Sequence, residues 1–157
     1  ERTNIADVNR SKRELERLKR IAKTEGMWDP TEGGADAVRF RDQIALLEVD
    51  IVALEMLVLR VLSAEKSGKN SLDIAGLLKI KGSEIQQRYA ELMMLAAGPF
   101  AMPFIEEAME AGWQGNFPGG VVANAPLAST YFNLRKTTIY GGSNEVQRNI
   151  VAQTVLG

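Results

Sequence analysis

Thr138-Ile139-Tyr140-Gly141-Gly142-Ser143-Asn144-Glu145-Val146-Gln147-Arg148-Asn149-Ile150-Val151-Ala152 joins a β-like tripeptide, a Gly-Gly turn and an amphipathic helix without a gap. The two adjacent glycines permit positive φ and a close approach of backbone to a ligand. Ser143 or Gly142 can cap the helix that follows, whose apolar face reads as Val146, Ile150, Val151 and Val155. Unpaired N–H groups and the positive dipole end of that helix would face a phosphate or an enolate oxygen. On local physics alone, the same pattern also describes a well-capped terminal helix with no ligand.

Moving outward, the 157-residue chain, 45% hydrophobic and 25% charged, suits one domain with a substantial core. Its 19 basic and 20 acidic side chains leave a net charge of −1, so no global field favours nucleic acid or an anionic membrane as partner. Cysteine and histidine are both absent. That excludes disulfides and thiolate chemistry, removes the commonest metal ligand, and leaves a carboxylate, Lys or Tyr as the available catalytic base. No metal site is expected. The opening Glu1-Arg2-Thr3-Asn4 is not a signal peptide and no apolar run approaches a membrane span, so a cytoplasmic location is expected.

The rest of the chain reads as helices. Residues 1–24 place Ile5, Val8, Leu15, Leu18 and Ala22 at three- and four-residue steps, with Lys12 interrupting. The other faces mix Arg10, Arg13, Arg17, Lys19, Arg20 and Lys23 with Asp7, Glu14 and Glu16, and no aromatic interleaves to stack on bases, so they read as solvated. Gly26 stops this helix, and Trp28-Asp29-Pro30-Thr31-Glu32-Gly33-Gly34 is turn chemistry. Residues 36–66 carry Val38, Ile44, Leu47, Ile51, Leu54, Val58 and Val61 at heptad-like spacing. Further apolar residues widen that stripe until the helix should lie centrally in a bundle. Ser67-Gly68-Lys69-Asn70 breaks it and Ser71 is a candidate N-cap for a helix over 72–97. A shorter helix is expected over 101–111, then a loop over 112–120 in which Trp113 and Phe117 are either ligand contacts or anchors pinning the loop to the bundle. Helices over 122–135 and 144–156 complete the chain. The expected fold is all-α: a four-helix up-and-down bundle with one or two extra short helices.

The string from Ile139 to Ala152 resembles the C-terminal signature of the flavin-dependent acyl-CoA dehydrogenases. Weaker likenesses are Glu1-Arg2 followed by Ile5-Ala6-Asp7-Val8, the segment Leu78-Lys79-Ile80-Lys81-Gly82-Ser83-Glu84, and Leu95-Ala96-Ala97-Gly98-Pro99. The resemblance covers essentially the whole chain and implies the C-terminal helical domain over 1–157, with the family's N-terminal helical and middle β domains absent from this sequence. One departure stands in the first connection, where Trp28-Asp29-Pro30 replaces the Arg-x-x-Phe-Gly segment that many members set against a neighbouring subunit's flavin. This puts that inter-subunit contact in doubt. The chain is in this respect similar to a bacterial branch, some of whose members take bulky or branched acyl groups and form heteromers.

The resemblance implies removal of a proton from C2 of an acyl-CoA thioester while a hydride leaves C3 for FAD, with a flavoprotein as electron acceptor and a dimer or tetramer, homomeric or heteromeric, as the assembly. It implies that Gly141 stands where many relatives place the catalytic Glu, keeping only a backbone N–H for the thioester carbonyl. It further implies that Gly142, Ser143 and Glu145 approach FAD, that Tyr140 and Arg2 lie beside the substrate, and that Glu1 supplies the missing base. Glu145 is an awkward neighbour for a pyrophosphate unless it caps a hydroxyl or the helix N-terminus. Two other readings remain open at this level: a non-catalytic subunit of a heteromeric dehydrogenase, and a helical scaffold without ligand.

Overall fold

The first helix starts and stops for a chemical reason. α1 (Val8–Thr24) opens on Asp7, whose carboxylate accepts the Arg10 N–H at 2.9 Å, and closes with Met27 N–H donating to the Ala22 carbonyl at 2.9 Å. α2 spans Pro30–Lys66 and α3 Leu72–Ala97; α4 (Leu127–Leu134) and α5 (Asn144–Leu156) follow after a loop region. The computed structural model describes residues 6–66, 72–113, 115 and 124–156, the side chains of 65, 72–75 and 155 excepted. Among these residues there is no strand, and short 3₁₀ turns occupy Gly98–Ala101, Glu106–Met109 and Arg135–Thr138. The fold is all-α, as expected, with four main helices and a short one.

Several boundaries differ from expectation. The described part of the first helix begins at Val8 behind its Asp7 cap. α2 starts at Pro30, not at residue 36, because Pro30, Thr31 and Glu32 form a first turn seeded by Asp29, whose carboxylate accepts the Thr31 N–H and hydroxyl, both at 2.8 Å. That turn is joined to the long helix across Gly34, whose φ of 57° and ψ of −142° are not helical. The expected helix over 101–111 is replaced by two 3₁₀ turns on either side of Pro103, which has no N–H to donate to a continuing helix. Within 124–135, the described part of the expected 122–135, regular α-helix is confined to Leu127–Leu134 behind Pro126. Trp113 is half-buried, and Phe117 lies outside the described residues.

α2 was expected at the centre, but α3 takes that place: α1, α2, α4 and α5 all pack on it. Gly76, Ser83, Ala90 and Ala96 let neighbours come close, and a Cβ on Gly76 would stand 2.9 Å from Val151 Cγ2 of α5. α2 buries one seam, Ala37, Phe40, Ile44, Leu47, Ile51 and Leu54 at three-four spacing, with Val61 a heptad further on. Val38 is off that seam and exposed. Val49, Val52, Met56 and Leu59 form a second seam of the same period, and each is about half exposed or more, at 47–65%. Lys12–Glu55 and Lys19–Glu48 bridge α1 to α2, and Lys81–Asp50 with Arg88–Gln43 bridges α3 to α2. Residue numbers rise on one helix as they fall on the other, so both pairs are antiparallel. These exposed pairs mark direction more than they stabilise it.

Tyr89 sits in the core of α3 at 1% exposure, its hydroxyl without a partner in hydrogen-bonding geometry among the described residues. Burial pushes the phenol from 10.0 up to about 12, and the nearby Arg10 guanidinium only partly offsets this. The neutral phenol is thus favoured by folding. Its contribution is complete below the unfolded value and is lost as pH rises through the folded one. We predict that stability falls by about 2–3 kcal/mol between pH 10 and 12 on account of this group. Chemical denaturation at pH 8 and pH 12 checks this: Tyr89→Phe should be no less stable at pH 8 and should show a correspondingly smaller loss at pH 12.

Candidate functional site

The Gly141-Gly142 turn is held from both sides by α3. On its approach, Gln87 Nε2 donates to the Leu134 and Arg135 carbonyls at 3.3 and 3.1 Å, and Arg135 donates back to the Gln87 carbonyl at 3.1 Å. Arg135 also lies 4.3 Å over the Tyr131 ring. The chain then passes through the 3₁₀ turn Arg135–Thr138 and exposes Ile139 and Tyr140 at 68% and 45%. Gly141 and Gly142 follow with φ of 69° and 91°, a conformation that two side-chain-bearing residues would resist.

Beyond the turn, Ser143 caps α5. Its Oγ accepts the Val146 N–H at 3.4 Å, and its hydroxyl bonds the Glu145 carboxylate. Glu145 folds back onto its own backbone N–H. That bond, then the Ser143 hydroxyl, Arg148 and Lys79, hold its carboxyl below the usual carboxylate range. The carboxylate therefore occupies the anion-attracting end of α5, the one arrangement in which an acidic residue there is not out of place.

Asn144 begins α5 and is buried. Its Oδ1 accepts from Lys79 Nζ at 2.7 Å, its Nδ2 donates to Ser83 Oγ at 3.0 Å, and Ser83 donates onward to the Ile80 carbonyl at 2.9 Å. Gln147, one turn on, is also buried, with Oε1 unpartnered among the described residues and Nε2 standing 2.6 Å from where a Gly142 Cβ would be. The buried stripe of α5 is thus Asn144, Gln147 and the half-buried Val151. The apolar face expected from the sequence is not the packed one: Val146 and Ile150 are 50% and 42% exposed, and the Val155 side chain is outside the described residues. Polar partners waiting on α3 at Lys79 and Ser83, with space at Gly76, turn the helix by about a residue's 100°.

Of the residues singled out from sequence, Tyr140, Gly141, Gly142, Ser143 and Glu145 are thus brought together on one exposed turn. Glu1 and Arg2 lie outside the described residues. Lys79, Ser83, Asn144 and Gln147 were missed as supports of the turn. A signal existed, since Lys79, Ser83 and Gln86 recur at helical spacing and so share one face of the helix. No group of three or more acidic side chains among the described residues could hold a metal ion, and no helix there is long and apolar enough to cross a membrane.

Residues 11–156 match the family model described as acyl-CoA dehydrogenase, C-terminal domain. No curated protein matches the chain.

The turn's geometry makes a direct prediction. Gly142→Ala places a side chain at φ 91° with its Cβ 2.6 Å from the movable Gln147 amide. Backbone strain should dominate and lower stability by about 1–2 kcal/mol, read from the denaturation midpoint, with Gln147 yielding.

Proposed function

The chain belongs to the acyl-CoA dehydrogenase C-terminal domain family, and from that premise we propose that it forms part of an FAD-dependent enzyme that introduces a 2,3 double bond into an acyl-CoA thioester. The observation that carries this reading is the exposed positive-φ Gly141-Gly142 pair leading into the Ser143-capped helix. The active assembly would include the family's N-terminal helical and middle β domains, and a flavoprotein would take the electrons onward. A cytoplasmic setting accords with this chemistry.

The turn fits the edge of a flat cofactor with hydrogen-bonding groups. Gly142 has no side chain to hold a ring away, Ser143 offers a hydroxyl, and the backbone is exposed. It fits a pyrophosphate less well, because the Glu145 carboxylate already covers the α5 N-terminus. Gly142, Ser143 and Glu145 would thus hold FAD by polar edges or hydroxyls. When bound, FAD supplies the acceptor for the hydride leaving C3.

The chain's own groups divide the remaining work. The Gly141 N–H donates to the thioester oxygen, where negative charge grows as the C2 proton leaves; such a donor is worth about 2.7–4 kcal/mol in comparable oxyanion holes. Tyr140 flanks the acyl-CoA on this side, and Arg2 contacts it from the start of the chain. Gly141 has no carboxylate and the sequence has no histidine, so the base lies elsewhere. Glu1, in a Glu-Arg dipeptide followed by Ile5-Ala6-Asp7, takes the C2 proton. Beside an apolar acyl chain its pKa would rise by desolvation, toward the range where it can act as base.

The assembly is a dimer or tetramer of like or unlike chains, because the outward seam Val49, Val52, Met56 and Leu59 leaves an apolar stripe that the described residues do not cover. Light scattering on the full-length protein should give a dimer or larger species; a stable monomer overturns this part. In the full-length enzyme, Glu1→Gln should keep flavin and acyl-CoA binding yet slow anaerobic flavin reduction on the order of 10²–10⁴-fold. Reduction at the wild-type rate would remove Glu1 as base, and no reduction by the wild type would favour the non-catalytic subunit, to which the bare Gly141 also points.

A further inference from the structure

Lys79 is the one charged side chain among the described residues that is fully buried, at 0% exposure. Burial lowers its pKa, and the through-space attraction of Glu145 only partly opposes this. No carboxylate among the described residues forms an ion pair with it. An apolar side chain of similar length would fill the same space without the cost of desolvating an ammonium. What the ammonium alone supplies is a donor, and that donor points at Asn144 Oδ1 at 2.7 Å.

That contact has directional consequences. Lysine can donate but not accept, so it fixes which end of the Asn144 amide faces it. Nδ2 is then directed to Ser83 Oγ, and the single Ser83 proton goes to the nearer acceptor, the Ile80 carbonyl at 2.9 Å, with Asn144 Oδ1 at 3.2 Å. Asn144 lies two residues beyond Gly142, so the polar chain ends directly behind the turn. With Gln87 donating to the Leu134 and Arg135 carbonyls and to the Thr137 and Thr138 hydroxyls on the approach, five residues, 139–143, are suspended between two anchors on one rigid helix. Gln147 presses from below, its Nε2 where a Gly142 side chain would go.

We propose that Lys79 is a positioning residue, which through Asn144 fixes the first turn of α5 on α3 and so aims the Gly141 and Gly142 N–H groups for the reaction assigned above. The inference rests on the acyl-CoA dehydrogenase reading and adds to it a side chain that touches neither substrate nor cofactor. An anchor differs from a mere core filler in a testable way: its loss should loosen one segment and slow the chemical step, not only lower the melting temperature.

The test uses the full-length protein with Lys79→Met, Asn144→Leu and the double variant, comparing amide hydrogen exchange over residues 139–147, flavin-to-protein ratio, and KM against the rate of flavin reduction. Each single variant should speed exchange over 139–147 and slow reduction, by up to about a hundredfold, with KM little changed. The double variant should be no slower than the slower single, because Lys79 acts through Asn144. Exchange and reduction rates of wild type in Lys79→Met would overturn the proposal, as would a double variant showing the two losses multiplied. Should Lys79→Met fail to fold, Ser83→Ala interrogates the same chain more gently: faster exchange over 139–147 supports the anchor, and unchanged exchange refutes it. Failure of the underlying functional reading looks different. A wild-type protein that binds no flavin overturns that reading, while exchange in Lys79→Met still decides whether Lys79 holds the turn.

Discussion

The Asn144 carboxamide has one orientation open to it, because the Lys79 ammonium offers hydrogens and no lone pair. Much of the local architecture follows from that constraint. The polarity of the chain from Lys79 to the Ile80 carbonyl is set, the first residue of α5 is held on α3, and the rotation of α5 about its axis follows. Once α5 is rotated to bury Asn144 and Gln147, Val146 and Ile150 must face outward. The exposed apolar surface beside the glycine turn is therefore the other side of the buried polar contact, not a packing failure.

The same helix controls both ends of the turn. Gln87 and Lys79 are eight residues apart on α3, about 12 Å along its axis, and each holds backbone or a cap on one side of residues 139–143. A turn suspended in this way can place two positive-φ glycines at the surface without drifting, although neither glycine carries a side chain to anchor it. Rigidity is borrowed from a core that also accommodates the buried phenol of Tyr89, near the Arg10 guanidinium. α3 can occupy the centre because its small residues admit close neighbours, whereas α2, apolar on two opposing seams, buries one of them among the described residues and leaves the other exposed.

How far the sequence could be read depended on whether a signal was local. The heptad seam of α2, the Schellman-type stop after α1 and the Ser143 cap were legible because spacing and turn chemistry act over a few residues. The family was legible in the glycine turn and the residues after it, through a resemblance that the family match bears out. The packed face of α5 was not, since Val146 and Ile150 outscore Asn144 and Gln147 in hydrophobicity and only the partners on α3 reverse the choice. The central helix was misjudged for a related reason. An all-round apolar surface was taken to imply burial by this chain, when what distinguishes the centre is small side chains at the contacts. Over 101–111, Pro103 should have weighed more than the apolar count.

Gly34 adds a point about handedness. Its φ of 57° and ψ of −142° are the mirror image of an ordinary extended conformation, and a Cβ built there meets nothing within 4 Å. The obstacle to a side chain is therefore not crowding but chirality: an L-residue carries the wrong hand for that backbone, while a D-alanine would be at ease in it. At this junction between the short Pro30 turn and the long helix, the protein uses glycine as the achiral stand-in for a mirror-image amino acid that ribosomal synthesis cannot supply.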